Sequence, residues 1–266
     1  MLYGCEVWGF SNNAIIDRIH LKFCKLLLKL KQSTPDCMVY GELGRYPMQI
    51  QIQTRIISFW HKITLSKETK IANLLLKLSS KITSKIVWIN NVANILDNCG
   101  LSNIRQNNKC NPNWLKSKIK LTLLDQFKQK WNSDLQTLSK TTNYRMYKDE
   151  LKFEKYFNIL RRKDAITFCK FRTCNHYLPI ESGRWRNEPR ETRLCNKCDL
   201  REIGDEFHYI FNCKSLIDIR KQCLSPKQIR FKNIITFRNI MNSNKQSFLR
   251  KLCSFIRNIN HTCSPT

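Results

Sequence analysis

Four potential metal ligands lie within nineteen residues of this chain, in the order Cys195, Cys198, His208 and Cys213. A cysteine pair with two residues between its members can bind one tetrahedral ion from a tight turn, and the later His and Cys close the site. Four protein ligands leave no open position, so the spacing predicts one structural Zn²⁺ rather than a catalytic one. The Gly204-Asp205-Glu206 break between the two pairs favours a turn followed by a helix. The alternative is a chance spacing among thirteen cysteines and five histidines.

The charge of the chain points to a polyanionic partner. Its 47 Lys and Arg residues against 20 Asp and Glu residues give a net charge of +27. Such an excess is typical of proteins that bind nucleic acid, with an anionic membrane surface as the weaker alternative. No apolar run reaches the roughly 18 to 20 residues that a spanning helix needs, and Met1–Glu6 lacks the pattern of a signal peptide. We expect no membrane partner and no small-molecule substrate.

The cysteines predict a reducing compartment. Their number is odd, and several, such as Cys24, Cys169 and Cys253, lie in helical apolar patterns where a free thiol behaves as a small hydrophobic group. A secreted disulfide scaffold is therefore disfavoured. We expect the protein in the nucleus or the cytoplasm.

Helical periodicity dominates the sequence. The apolar spacing predicts a mainly α fold, a helical bundle followed by a small helical zinc-knuckle domain, with short β-elements at most near Tyr3–Val7 and at the knuckle. The boundary is expected in the polar stretch 139–150, giving regions 1–140 and 141–266. The predicted helices cover residues 15–30, 48–63, 71–96 with a break near 79–80, 112–138, 154–174, 215–238 and 245–260.

Basic residues flank the predicted zinc segment on both sides. Residues 214–257 hold eleven Lys or Arg and one acid, and residues 151–190 hold ten against four. Helical charge runs are often only solvated faces, but their concentration here favours RNA or DNA binding. Exposed aromatic rings between arginines can stack on bases, although Trp185 is equally compatible with a core position. The predicted nucleic-acid-binding residues are Arg172, His176, Arg184, Trp185, Arg186, Arg190, Lys214, Arg220 and Lys221.

Several stretches occur in the order found in one protein family. The first two stretches are Leu2-Tyr3-Gly4-Cys5-Glu6-Val7-Trp8-Gly9 and Val39-Tyr40-Gly41-Glu42-Leu43-Gly44-Arg45-Tyr46-Pro47. They are followed by His176-x-Leu178-x-Ile180-Glu181-x-Gly183-Arg184 and then by the Cys/His quartet. Together they resemble the C-terminal region of LINE-type (non-LTR, jockey-like) retrotransposon reverse transcriptase polyproteins. The resemblance covers nearly the whole chain and is weakest over residues 67–111.

The resemblance implies a thumb-like helical region at 1–140, following a missing polymerase palm, and a basic zinc-knuckle region at 141–266. The resemblance further implies that the chain binds template RNA or target DNA and does not itself catalyse a reaction. The family's Tyr-x-Asp-Asp motif is absent, and two-metal nucleotidyl transfer requires paired carboxylates. Met1 is then expected to be an internal methionine of a truncated gene.

Two alternatives stay open. An active polymerase remnant or nuclease would have to use the acids near the zinc segment, Asp199, Glu202, Asp205 and Glu206. The sequence strongly favours the other interpretation of these acids, as polar residues of an exposed turn, and four zinc ligands leave no open position for catalysis. An inert, decayed retrotransposon remnant would keep the folded zinc module without activity.

Overall fold

The computed structural model describes residues 2–10, 13–81, 87–107 and 109–263. Within them the chain is mainly α-helical, which confirms the predicted fold class, and its β-structure is limited to two isolated antiparallel bridges, Leu43 with Phe153 and Leu194 with Ile203. The helices are α1 (Cys5–Trp8), α2 (Asn13–Leu27), α3 (Asp36–Leu43), α4 (Met48–Thr64), α5 (Ile71–Lys81), α6 (Val87–Asn98), α7 (Pro112–Thr137), α8 (Tyr156–Ile159), α9 (Arg162–Arg172), α10 (Pro179–Trp185), α11 (Glu206–Phe211), α12 (Ile217–Cys223), α13 (Pro226–Arg230), α14 (Ile234–Met241) and α15 (Gln246–Cys263).

The chain forms two compact units. The first comprises Met1–Leu21 and Tyr46–Lys130, and the second comprises Lys22–Arg45 and Trp131–Thr266. The polar stretch 139–150, where the sequence places a boundary, lies inside the second unit as short 3₁₀ turns. The functional division into 1–140 and 141–266 rests on the resemblance and stays a prediction.

Helix α4 lies at the centre of the first unit, where it packs against α1, α5 and α6. Its residues Ile52, Ile56 and Trp60 are buried, as the predicted apolar face requires. Pro47 precedes the helix, and the Asp17 carboxylate accepts a hydrogen bond from the Met48 amide at 2.6 Å. This carboxylate satisfies one of the amide groups that the first helical turn leaves without a partner.

In the second unit, the amphipathic helix α15 packs against α9 and α12. It buries Leu249, Leu252 and Phe255 on one side, while Arg250 and Lys251 are exposed on the other. The Trp131 indole N–H donates to the Cys37 carbonyl at 2.7 Å in the same unit. These contacts build the apolar body on which the Cys/His segment rests.

Three local predictions need correction. The segment Tyr3–Val7 is a turn and the start of α1, because Gly4 adopts a left-handed conformation with φ of 68° that starts a helix. The predicted helix 154–174 is divided between α8 and α9, where Leu160 is extended. The predicted helix 215–238 becomes α12, α13 and α14, because Ser225 forms a capping box at a new helix start.

The apolar stripe predicted for α2 is also largely exposed. The helix forms as expected, but Phe23 is 61% and Leu26 is 72% exposed, whereas Ile16 is buried. Periodicity predicted the helix correctly but misjudged which of its residues are covered by the rest of the chain.

Candidate metal centre

The first ligand pair lies in a short hairpin. The Cys195 amide donates to the Glu202 carbonyl at 2.9 Å, and the bridge between Leu194 and Ile203 closes the base of the turn. Within the turn, the Lys197 amide donates to Cys195 Sγ at 3.4 Å. The hairpin therefore holds the Cys195 and Cys198 sulfurs on the same side.

The second ligand pair lies on α11 and directly after it. The Asp205 side chain caps this helix by accepting from the His208 amide at 2.9 Å. At the other end of the helix, the Cys213 amide donates to the His208 carbonyl at 2.9 Å, which brings Cys213 back towards the histidine. The predicted turn followed by a helix is confirmed, and it brings both pairs together.

The four ligand atoms form a compact group of the size that a tetrahedral ion requires. They lie within 4.8 Å of one another, with 3.8 Å between the sulfurs of Cys195 and Cys213 and 3.4 Å between Cys198 Sγ and His208 Nε2. Typical zinc bond lengths give about 3.8 Å between two sulfurs and about 3.5 Å between sulfur and nitrogen in a regular tetrahedron. Cys195, Cys198, His208 and Cys213 thus form a potential metal-binding group.

A carboxylate outside the quartet orients the histidine. Glu202 Oε2 accepts from His208 Nδ1 at 2.8 Å and from the Asn212 side-chain amide at 2.9 Å. This leaves Nε2 facing the sulfurs, in the arrangement typical of histidines that bind metals. The sequence alone indicated Glu202 only as a turn acid, because its role depends on the hairpin that places it opposite α11.

The local charges differ among the ligands. Burial raises the pKa of Cys195, but hydrogen bonds from His208 and Tyr209 outweigh burial and lower it to about 6. Burial lowers the pKa of His208, whereas its contacts with Cys195 and Glu202 raise it to about 9. Burial raises the pKa of Cys213 to about 11. The arrangement thus stabilises a thiolate at Cys195 beside a protonated His208. Thiolates are the form in which cysteines bind metal, and metal binding would release the proton from the histidine.

A second cluster of potential ligands, Cys174, His176 and Glu206, is fully buried. His176 Nε2 lies 2.8 Å from Glu206 Oε1, and Cys174 Sγ lies 3.2 Å from the same oxygen. Nitrogen and oxygen ligands of one tetrahedral zinc ion would be about 3.3 Å apart, whereas 2.8 Å is a hydrogen-bond distance. This cluster is therefore a buried hydrogen-bond network. Burial raises the pKa of Glu206, but His176 outweighs it and lowers that pKa to about 2.

Three of the nine residues predicted to contact nucleic acid lie in the interior of the protein instead. The Arg172 side chain is fully buried, with its guanidinium 3.0 Å from Glu42 Oε1 and donating to the Met241 carbonyl at 2.7 Å. His176 is 2% exposed and binds Glu206. Arg220 is 4% exposed and donates to backbone carbonyls of the segment 209–213. Because their polar atoms contact protein groups, these three side chains stabilise the fold and are not available to phosphates.

The other six predicted contacts are at least partly exposed, namely Arg184, Trp185, Arg186, Arg190, Lys214 and Lys221. Four of the five cations among them form ion pairs with acids: Arg184 with Glu181, Arg186 with Glu188, Arg190 with Asp205 and Lys214 with Asp199. Their contact with nucleic acid stays a prediction, and their charge is partly compensated within the protein.

The acids that an enzyme would have to use all have structural partners. Asp199 pairs with Lys214, and Glu202 orients His208. Asp205 caps α11, and Glu206 lies in the buried network. The exposed Asp199 and Glu202 agree with the expectation of polar residues in an exposed turn, whereas Glu206 is buried in the first turn of α11 and departs from it.

Uncompensated positive charge lies C-terminal to the quartet. Of the eleven Lys and Arg residues at 214–257, only Arg220 is buried. Three exposed ones pair with acids: Lys214, Arg238 and Arg257. For the remaining seven, the described part of the chain contains no ion pair: Lys221, Lys227, Arg230, Lys232, Lys245, Arg250 and Lys251. These seven residues form the C-terminal cation set.

Comparisons of the chain with protein-family models, with curated proteins and with solved structures found no match. Among the described helices, none is both long enough and apolar enough to cross a membrane. The described residues thus define a mainly helical protein with a Cys₃His group that could bind a metal ion, followed in the chain by exposed basic helices.

Proposed function

We propose that the chain is a noncatalytic nucleic-acid-binding module that a structural zinc ion organises. Zinc is the ion that three thiolates and one imidazole at these spacings favour, because soft sulfur ligands in a tetrahedral set select it. The ligands leave no open coordination position, so the ion would stabilise the segment from Arg193 to Cys213 and take no part in chemistry.

The observation that supports nucleic-acid binding best is the C-terminal cation set. Seven exposed cations without acidic partners raise the local positive potential, and phosphate groups compensate such charge with the release of counterions. Contacts of this kind depend on charge and not on base identity, so we expect little sequence specificity.

The proposed origin is the C-terminal, zinc-containing region of a LINE-type retrotransposon reverse transcriptase. Its support is the order of sequence motifs, together with the Cys/His geometry that the motif predicts. In this proposal RNA or DNA is the partner, and the protein acts in the nucleus or the cytoplasm.

The test is a salt titration of binding by the zinc-loaded full-length chain to a fluorescent 20-nucleotide RNA and to a DNA duplex of equal length. If all seven cations contact phosphates, the slope of log K against log salt is about −6 on duplex DNA, and affinity falls by roughly three to four orders of magnitude between 50 and 200 mM salt. Absence of binding at 50 mM salt would favour the inert-remnant alternative.

A matched pair of variants locates the interface. Replacing Lys221, Lys227 and Arg230 with Gln should flatten the slope by about three, close to one unit for each lost contact. The control replaces three exposed lysines of α7 with Gln, namely Lys116, Lys118 and Lys120, which changes the net charge equally. An equal loss in both variants would show that net charge, and not this surface, determines binding.

A further inference from the structure

An exposed aromatic pair lies beside a lysine that is distant in sequence. Trp185 is 46% and Tyr177 is 41% exposed, and their rings meet edge to face with centroids 5.8 Å apart. Lys31 Nζ lies 3.6 Å from the Trp185 ring centroid and 5.3 Å from that of Tyr177. A cation at this distance from an aromatic face is attracted by the partially negative face of the ring quadrupole.

The backbone of this lysine is fixed in place. Lys29 adopts a left-handed conformation with φ of 53°, which turns the chain sharply after α2. The Asn175 side chain then accepts from the Lys31 amide at 2.9 Å and from the Thr34 hydroxyl at 3.0 Å. The position of Lys31 beside the rings is therefore built by the fold.

The surroundings of the pair are strongly positive. Lys31 lies close enough to Lys140, Lys170 and the carboxylate of Glu181 to interact with all three. That carboxylate is 1% exposed and already pairs with Lys140 at 3.1 Å and Arg184 at 3.2 Å. Burial lowers the pKa of Lys31, and the neighbouring Lys140 and Lys170 lower it further. Glu181 also attracts Lys31, but this one carboxylate is shared with Lys140 and Arg184, so positive charge is in excess beside the rings.

We infer that Trp185, Tyr177 and Lys31 form a platform for single-stranded nucleic acid, on which an unpaired base stacks against one of the two rings while the adjoining phosphate contacts the surrounding cations. Exposed rings combined with an excess of cations match the two parts of a nucleotide, because bases present flat π-faces and phosphates present charge. A duplex hides its base faces, so the platform would distinguish single strands from duplexes. The inference rests on the proposed function and specifies its preferred substrate.

The test compares binding of the zinc-loaded full-length chain to 12-nucleotide single strands of RNA and DNA and to the corresponding DNA duplex. Trp185→Leu should weaken binding to single strands about tenfold or more, as the loss of one stacked base does, and binding to the duplex less than twofold. Trp114→Leu is the matched control, since Trp114 is 50% exposed on α7 in the other unit. Equal weakening of all ligands by Trp185→Leu, or no weakening, would overturn the platform.

Two further measurements do not depend on the stability of that variant. Photo-crosslinking of the wild-type chain to a strand containing 5-bromouracil should label Trp185 or Tyr177, and labels confined to other residues would contradict the inference. Polyglutamate, which carries charge without bases, should compete poorly with single strands, and competition equal to that of a single strand would show that stacking is absent.

The platform and the proposed function fail in different ways. If the wild-type chain binds no nucleic acid at low salt, the proposed function itself is wrong and the platform with it. If it binds with the expected salt dependence and Trp185→Leu leaves the ratio of single-strand to duplex affinity unchanged, only the platform is wrong.

Discussion

Replacing Arg172 with methionine would leave a carboxylate without its main partner in the interior of the second unit. Both Arg172 and Glu42 have fully buried side chains, and Arg172 Nε lies 3.1 Å from each Glu42 oxygen. The guanidinium also lies 3.4 Å from Glu154 and 4.7 Å above the Tyr147 ring. Breaking one side of such a buried pair costs about 3–5 kcal/mol, because the remaining charge stays buried.

That cost is a large part of the roughly 5–15 kcal/mol that separates folded from unfolded states. At about 2–4 °C for each kcal/mol in domains of 150–250 residues, Arg172→Met should lower the Tm by about 6–20 °C. Circular dichroism and urea unfolding at constant metal loading measure the change. Arg186→Ala is the control, since this exposed arginine pairs with Glu188 at the surface, and its Tm should stay close to that of the wild type.

A double variant tests the cause. Arg172→Met combined with Glu42→Gln removes both charges, so it should be more stable than the sum of the two single losses implies. Additive losses, or an Arg172→Met variant within about 1 kcal/mol of wild type, would refute a buried ion pair. Below its Tm, the single variant should keep the wild-type salt slope of binding. A slope flattened by about one unit would show that Arg172 contacts phosphate after all.

Three other changes test the metal centre. A strong chelator, or Cys198→Ser, should remove the metal ion and raise hydrogen exchange across residues 192–217, because metal binding supplies local folding free energy. The helices of the first unit should stay protected, and metal analysis giving well under one equivalent for the wild type would contradict the site. Glu202→Gln should weaken metal affinity by about 10–100-fold with little change in helix content, as loss of the carboxylate behind a ligand histidine does. Competition with a chromophoric chelator measures the affinity. Gly204→Ala should lower the free energy of unfolding by about 1–3 kcal/mol through overpacking, because the added Cβ would lie 2.7 Å from Pro179 Cγ. An unchanged urea midpoint would show that the backbone at Gly204 can move away from Pro179 at no cost.

The grouping of the four potential metal ligands could be predicted from sequence because the information is local. Cys195 to Cys213 span one hairpin and one short helix, and the Asp205 cap fixes where that helix begins. The same reasoning predicted the helices, since a repeating apolar pattern is also local. It was least reliable at points such as Leu160, where one extended residue divides a continuous pattern.

Long-range partners could not be predicted. The buried Arg172 pairs with Glu42, which lies 130 positions earlier, and the exposed Trp185 contacts Lys31 from a distant part of the sequence. A lone arginine in a basic sequence is expected at the surface, because charged residues are rarely buried unless paired. Only the folded chain shows which arginines have such a partner.

The buried network at Glu206 connects the metal centre with the proposed platform. Glu206 begins α11, the helix that carries His208, and its carboxylate contacts both His176 and the Asn143 side chain. The next residue after His176 is Tyr177. The hairpin adds a second connection, since the Gly204 carbonyl accepts from the Ile180 amide at 3.1 Å at the start of α10, which ends at Trp185. A metal ion that fixes the hairpin and α11 would therefore also fix both aromatic rings, so a structural ion can influence base stacking without contacting the nucleic acid.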